Sequence, residues 1–203
     1  IGIGTNPSCV GLSPSAQVAV AANIEDNTVS VVDLATRTVT HTISVGAFPV
    51  CMHYIINTAD MTAAVTNVAD GTVQLLDLVA GTVIRTIPVG NAPISASTNM
   101  RTNHALVPLN ADNTVAIVDL SAGTVLHTVA VGAAPACAVI DETRNIAYVA
   151  NLADGSLSAV DMAAGTVVGT VGGLGFEPQC LAFDEARNVV LVTAHSGEVW
   201  LLD

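Results

Sequence analysis

The sequence predicts an all-β protein, a five-bladed β-propeller built from four-stranded antiparallel blades. Two observations lead to this prediction: a proline recurs at a nearly constant interval, and each interval contains the same series of short strand patterns. The prolines lie about 43 residues apart, at Pro7, Pro49, Pro93, Pro135 and Pro178. Repeats of about 40 to 50 residues, each made of four strands, are typical of propeller blades.

The four strand patterns are clearest in the first unit. A short strand at residues 9–12 is followed by a second at 18–23 and a third at 28–33, and each is short, apolar and bounded by turn residues. The fourth pattern, at 38–45, alternates threonine with apolar residues, as a half-exposed strand does. No helical periodicity competes with these patterns, so antiparallel four-stranded units are predicted throughout.

The turns within each unit also repeat. A pair of turn-forming residues separates the second strand from the third: Asp26-Asn27, Asp70-Gly71, Asp112-Asn113, Asp154-Gly155 and Ser196-Gly197. These residue types tolerate the positive φ angles of a tight hairpin. The third strand ends in an aspartate at Asp33, Asp77, Asp119, Asp161 and Asp203. We expect each of these carboxylates to accept hydrogen bonds from the next turn, which is a structural role.

The two ends of the chain complement one another. Residues 1–7 align without a gap on residues 43–49, and the chain stops where a third strand ends. We therefore expect the N-terminal strand, residues 1–4, to join the C-terminal blade and close the ring. The units are then about 8–49, 50–93, 94–135, 136–178, and 179–203 together with 1–7. A truncated larger propeller is the alternative.

Charge limits the classes of partner. The 203 residues include 17 acidic and only five basic residues, all arginine, so the net charge is -12. The electrostatic field of such a negative protein repels phosphate groups. We therefore expect no nucleic acid and no anionic membrane surface among the partners. Metal ions, basic proteins and neutral small ligands remain open. No apolar run is long enough to span a bilayer, and no targeting segment is expected in this numbering.

The repeated motifs resemble those of a known family. Val-Ala-Asn followed by Asp-Asn-Thr-Val-Ser-Val-Val-Asp-Leu, and then Thr-Ile-x-Val-Gly-x-x-Pro, is similar to the YVTN β-propeller repeat of prokaryotic surface-layer and secreted proteins. Residues 18–49 match best, and the pattern covers essentially the whole chain. The resemblance implies a propeller and an extracytoplasmic location. It implies little about chemistry, because a fold does not determine function.

The second residue after the repeated proline is unusual. It is a cysteine in four units and a serine in one, namely Cys9, Cys51, Ser95, Cys137 and Cys180. YVTN-type units commonly have glycine at this position. We expect these side chains near one mouth of the central channel, because each begins the innermost strand of its blade.

Three interpretations of the cysteines remain open. Thiolates suit a soft metal ion such as copper, zinc or iron, and His53, on the same predicted strand face as Cys51, would add a nitrogen ligand. Disulfides between neighbouring blades, Cys9 with Cys51 and Cys137 with Cys180, are the second interpretation. The third is that the cysteines are ordinary buried thiols.

Other candidate residues surround the same predicted mouth. Phe48 and Glu177 each precede a repeated proline and are expected on its rim, with Glu177 in an enlarged connection at residues 172–177. His41 and His127 are expected on a solvated face of the outermost strands. Common catalytic motifs such as His-Glu-x-x-His and Gly-x-Ser-x-Gly are absent from the sequence. The function expected first is a non-catalytic, extracytoplasmic binding or scaffold protein acting through one propeller face; the alternative is a soft-metal or redox protein.

Overall fold

The structure is a computed structural model that describes residues 1–50, 56, 57, 60–173, 177–194 and 197–202. The described residues form 20 β-strands. Within this part of the chain, no helix is long and apolar enough to cross a membrane. The chain divides into two compact units, Ile1–Ala96 and Ser97–Asp203.

The first unit contains two antiparallel sheets. In the first sheet the four strands are paired in chain order: β1 (Pro7–Ser13), β2 (Val18–Asn23), β3 (Thr28–Asp33) and β4 (Thr38–Ser44). The second sheet repeats this order in β5 (Pro49–Val50), β7 (Thr62–Asn67), β8 (Thr72–Asp77) and β9 (Thr82–Pro88), while β6 (Ile56–Asn57) also pairs with β7.

The second unit contains three antiparallel sheets, again with strands paired in chain order. The first is β10 (Ser97–Asn99), β11 (His104–Leu109), β12 (Thr114–Asp119) and β13 (Thr124–Ala130). The second is β14 (Pro135–Asp141), β15 (Ile146–Asn151), β16 (Ser156–Asp161) and β17 (Thr166–Val171). The third has three described strands, β18 (Pro178–Asp184), β19 (Val189–Ala194) and β20 (Val199–Leu202). These five sheets are the blades that the repeat predicts.

In the first four blades the core lies in the two middle strands. In β2 and β3 almost every residue is buried, because both faces of these strands are covered. The outermost strand β4 instead alternates between exposed and partly buried residues. Burial explains the sequences of these strands. The strands β2 and β3 are rich in valine and alanine because both faces are buried, whereas β4 alternates threonine with other residues because one face is exposed. In the second unit, Leu106 and Ile117 of one blade pack with Val149 and Met162 of the next.

The strand-ending aspartates take the predicted structural role. The Asp33 carboxylate accepts hydrogen bonds from the backbone N–H groups of Ala35, at 2.8 Å, and Thr36, at 2.9 Å. Three further aspartates make the equivalent pair of bonds, Asp77, Asp119 and Asp161. Asp203 lies outside the described residues. Each bond pair fixes the turn that leads into the outermost strand.

The connection between blades docks on the hairpin of the next blade. Ala47 N–H donates to the Asp70 carboxylate at 2.7 Å. A Cβ atom at Gly46 would lie 2.5 Å from Asp70 Oδ2 and 2.7 Å from Asn67 Cγ, so only glycine fits there. The same arrangement recurs at Gly132 in the second unit, where Ala133 N–H donates to Asp154. The Gly-x-x-Pro motif is therefore a packing requirement.

Closure by the N-terminal strand stays a prediction. Residues 1–4 belong to no strand in the structure, and Ile1 is 69% exposed. Ile43, at the aligned position of the first blade, is only 3% exposed because it packs inside its sheet.

His41 and His127 are less exposed than a fully solvated face would make them. Both side chains are partly buried. They lie against Gly81 and Gly165 respectively, in the β8–β9 turn of the first unit and the β16–β17 turn of the second, where a Cβ atom would overlap the imidazole ring. Each histidine therefore packs against the turn of the following blade, which is a contact that the sequence of a single repeat does not contain.

Candidate functional site

Three of the four cysteines occupy the same place in their blades. Cys9, Cys137 and Cys180 are each the third residue of the first strand, in β1, β14 and β18. In all three strands the pairing register shifts between the proline and the cysteine. Proline has no N–H group to donate to the neighbouring strand. The resulting shift in pairing changes the direction of the side chains that follow the proline.

The predicted ring consists of the residues expected at the channel mouth, namely Cys9, Cys51, Ser95, Cys137 and Cys180 with His53. Its other members differ in position or lie outside the described residues. Ser95 is buried and precedes β10, because the first strand of that blade begins only at Ser97. Cys51 and His53 lie outside the described residues. The ring as a whole stays a prediction.

Cys137 and Cys180 are neighbours across two adjacent blades of the second unit. The backbone N–H of Leu181, the residue after Cys180, donates to Cys137 Sγ at 3.4 Å. Burial, followed by the nearby charge of Cys180, raises the pKa of the Cys137 thiol to about 12. Cys137 is partly buried and Cys180 is exposed, and neither is in a disulfide.

A metal site of three or more ligands is not present in the described part of the chain, where histidine, cysteine and acidic side chains form no such group. Cys137 and Cys180 belong to the second unit, whereas Cys9 belongs to the first. Two thiols side by side can hold a soft ion in low coordination or can be oxidised to a disulfide.

The predicted rim residue Phe48 has an unusual backbone conformation. Its φ angle is 58°, in the left-handed region, and its side chain is 48% exposed. The backbone is held on both sides: Phe48 N–H donates to Asn27 Oδ1 at 3.0 Å, and the Phe48 carbonyl accepts from Val68 N–H at 3.1 Å. A bulky residue with positive φ is uncommon and persists only where its surroundings impose it.

The conformation of Phe48 is a property of the motif. The residue before the repeated proline has a φ angle of 51° at Asn6, Ala92 and Ala134. Sequence reasoning missed this feature, since a residue before proline normally favours extended conformations. The asparagine at position 6 was the available signal, because asparagine tolerates the left-handed region. Glu177, at the same place in the last connection, is exposed.

Exposed acidic residues lie close to the backbone of Phe48 in the first unit. Asp70, whose carboxylate binds Ala47 N–H, is exposed, and so are Glu25 and Asp26 beside Asn27. Asp26 in turn accepts from Thr5 N–H at 2.6 Å. The surface next to the aromatic ring is thus negative, which favours a basic or neutral partner.

A separate cavity lies between two blades of the second unit. Its volume is about 260 Å³, and apolar side chains such as Tyr148, Leu157, Val190 and Leu202 line it. Tyr148 also packs against Phe183, with ring centroids 5.8 Å apart. Tyr148, Thr170 and Asn188 are the polar residues among the described ones that line it, and no carboxylate, histidine, lysine or arginine is among them.

Comparison with known proteins identifies the fold. No family model matches the sequence, and no curated protein matches it either. Solved structures do match. The chain aligns with the computationally designed Ika8 protein at 17% identity and a TM-score of 0.80, covering 98% of this chain and 59% of that one.

Two natural structures give similar values. Hydrazine synthase of Kuenenia stuttgartiensis aligns at 18% identity and a TM-score of 0.82, covering 96% of this chain and 58% of that one. The Cps50 (Swd1) β-propeller domain of Myceliophteria thermophila aligns at 15% identity and a TM-score of 0.82, covering 99% of this chain and 66% of that one. The chain thus spans 58 to 66% of the length of these structures. None of these comparisons supports the YVTN label. Likeness at such low identity establishes the fold alone: the chain has the β-propeller fold, with five blades.

Proposed function

We propose that this propeller is a non-catalytic, extracytoplasmic binding or scaffold protein of the YVTN type, and that a protein partner docks on the face that carries Phe48. The observation that carries the proposal is an exposed aromatic ring on a backbone fixed in the left-handed conformation. The extracytoplasmic location rests on the resemblance of the repeats to surface-layer and secreted proteins.

Phe48 has the properties of an interface anchor. Aromatic side chains are among those enriched at the centres of protein interfaces, and a rigid anchor loses little conformational entropy on binding. Asn27 and Val68 hold the backbone of Phe48, so this backbone needs little ordering when a partner binds. The acidic residues beside it would face a basic patch, which increases the association rate and selects against acidic partners.

Alanine is a suitable test substitution at this position. Ala92 and Ala134 occupy the equivalent place with the same positive φ, so Phe48→Ala removes the ring without demanding a new backbone conformation. Val79→Ala is the matched control, because Val79 is 67% exposed and lies in the β8–β9 turn, at the opposite end of its sheet.

The experiment uses a photo-crosslinking residue placed at position 48 or, separately, at position 79 in the source cells. We expect one partner to crosslink only from position 48. With that partner purified, Phe48→Ala should weaken binding about tenfold or more, as loss of an interface anchor does, and Val79→Ala should not. Equal crosslinking from both positions, or unchanged affinity of Phe48→Ala, would reject the proposal.

A soft-metal function of the cysteines is the second proposal, and the proximity of Cys137 and Cys180 supports it. Replacing Cys51 and Cys180 together by serine should abolish binding of Cu⁺ supplied to the reduced protein, because hydroxyls are hard ligands. His41→Ala, outside the predicted ring, should bind as the wild type does. Absence of bound copper or zinc after reconstitution of the reduced wild type would exclude this function.

A further inference from the structure

The thiols of Cys137 and Cys180 form a pair of unequal accessibility. They stand at the same register position of β14 and β18, opposite Ala150 and Thr193 in their own sheets. Leu181, the residue after Cys180, donates its N–H to Cys137 Sγ at 3.4 Å, which ties the two strands together at this point. The side chain of Cys180 is exposed and that of Cys137 is partly buried.

We propose that Cys137 and Cys180 are a reversible redox pair that a low-molecular-weight disulfide oxidises to a disulfide between two blades. The inference rests on the position and accessibility of the two thiols, and it is independent of the partner-binding face at Phe48. It also needs no metal ion, since both electrons are accepted by the small disulfide.

The accessibility of the thiols sets the order of the two steps. The Cys180 thiol loses its proton, and its sulfur attacks one sulfur of the small disulfide, which breaks the S–S bond and releases one thiolate. The Cys137 thiol then loses its proton and its sulfur attacks Cys180 Sγ, which forms the Cys137–Cys180 bond and releases the second thiolate. The two released thiolates take up the two protons. The protein is oxidised by two electrons, and the small disulfide is reduced to two thiols.

The position of Cys137 next to the Cys180 strand favours the second step over a lasting mixed disulfide. Leu181, the residue after Cys180, donates its N–H to the attacking sulfur, Cys137 Sγ, at 3.4 Å. Burial raises the pKa of the Cys137 thiol, and the Leu181 N–H offsets part of this by stabilising the developing thiolate. The resulting disulfide would close a loop that contains a complete blade, so it should also resist thermal unfolding.

The test uses a variant of the full chain that retains only this pair. Cys9→Ser with Cys51→Ser removes the other two cysteines of the sequence. Serine is compatible with the motif, because Ser95 occupies the same motif position naturally. The purified variant is reduced, freed of metal with a chelator and incubated in glutathione buffers of increasing oxidising strength. Its intact mass, its alkylation by N-ethylmaleimide and its thermal midpoint are then measured.

We expect the mass to fall by two hydrogen atoms, alkylation to disappear until reductant is added, and the thermal midpoint to rise by about 5 °C or more. Two alkylatable thiols under the most oxidising buffer, or a glutathione adduct that persists on Cys180, would overturn the proposal. If the variant does not fold, peptide mapping of the oxidised wild type gives the same decision. A linked peptide pair containing Cys137 and Cys180 supports the inference, and its absence overturns it.

Discussion

Gly81→Ala tests the packing of one blade on the next. Gly81 has a φ angle of 66°, and a Cβ atom there would overlap the His41 ring and lie 2.7 Å from His41 Cγ. The left-handed conformation alone costs alanine about 1 kcal/mol, and forcing the ring to move adds about 1–3 kcal/mol. We therefore expect Gly81→Ala to lower the free energy of unfolding by about 2–4 kcal/mol.

Two controls separate these contributions. Gly155 has a φ angle of 60°, and no atom lies within 4 Å of the place that a Cβ atom would take. Gly155→Ala should therefore lower the free energy of unfolding by only about 1 kcal/mol. In a His41→Ala background the nearest remaining His41 atom is Cβ, at 3.1 Å, and Gly81→Ala should also cost about 1 kcal/mol there. Urea unfolding followed by circular dichroism measures all four variants. Equal losses for Gly81→Ala and Gly155→Ala, or the same Gly81→Ala loss in both backgrounds, would refute the packing argument.

Three further predictions concern charge, burial and closure. The N–H of Thr36 lowers the pKa of Asp33, so its carboxylate stabilises the fold above about pH 4 and this contribution is lost as the pH falls further. The melting temperature of Asp33→Asn should therefore fall less with decreasing pH than that of the wild type does. The same pH dependence in both proteins would contradict this. Asn151→Ala should cost about 1–3 kcal/mol by chemical denaturation, because a buried amide that bonds two serine hydroxyls is lost; a change below about 0.5 kcal/mol would contradict it. If the N-terminal strand closes the ring, Ile1→Ser with Ile3→Ser should lower the melting temperature by about 5 °C, whereas an unchanged value would argue against closure.

The regular part of each blade could be predicted because its signals are local. The second and third strands of the first blade, Val18–Asn23 and Thr28–Asp33, have the predicted bounds. The fourth ends at Ser44, one residue before the predicted end. Alternation, turn residues and the recurring aspartate all act within a few positions of one another, so a single sequence contains the information.

The departures depend on contacts between blades. The first strand of the third blade begins at Ser97, so Ser95 precedes the strand that was expected to contain it. His41 fills space above Gly81 of the next blade, and Phe48 takes a left-handed conformation because Asn27 and Val68 hold its backbone. The contacts of His41 and Phe48 join residues about 20 to 40 positions apart, a distance at which pattern reasoning on one sequence has no signal.

The same contacts indicate where function can diverge. In the Gly-x-x-Pro connection, glycine is fixed by close contact with the next hairpin, and the two residues that follow it are held through their backbone N–H groups. The side chain before the proline takes no part in these bonds, and four residue types occur at the five positions: Asn6, Phe48, Ala92, Ala134 and Glu177. At Phe48 the backbone is fixed and the side chain is exposed, and such a position can change chemistry at little cost in stability. Substitutions there should therefore alter binding without unfolding the protein, which is why Phe48→Ala tests function and Gly81→Ala tests the scaffold.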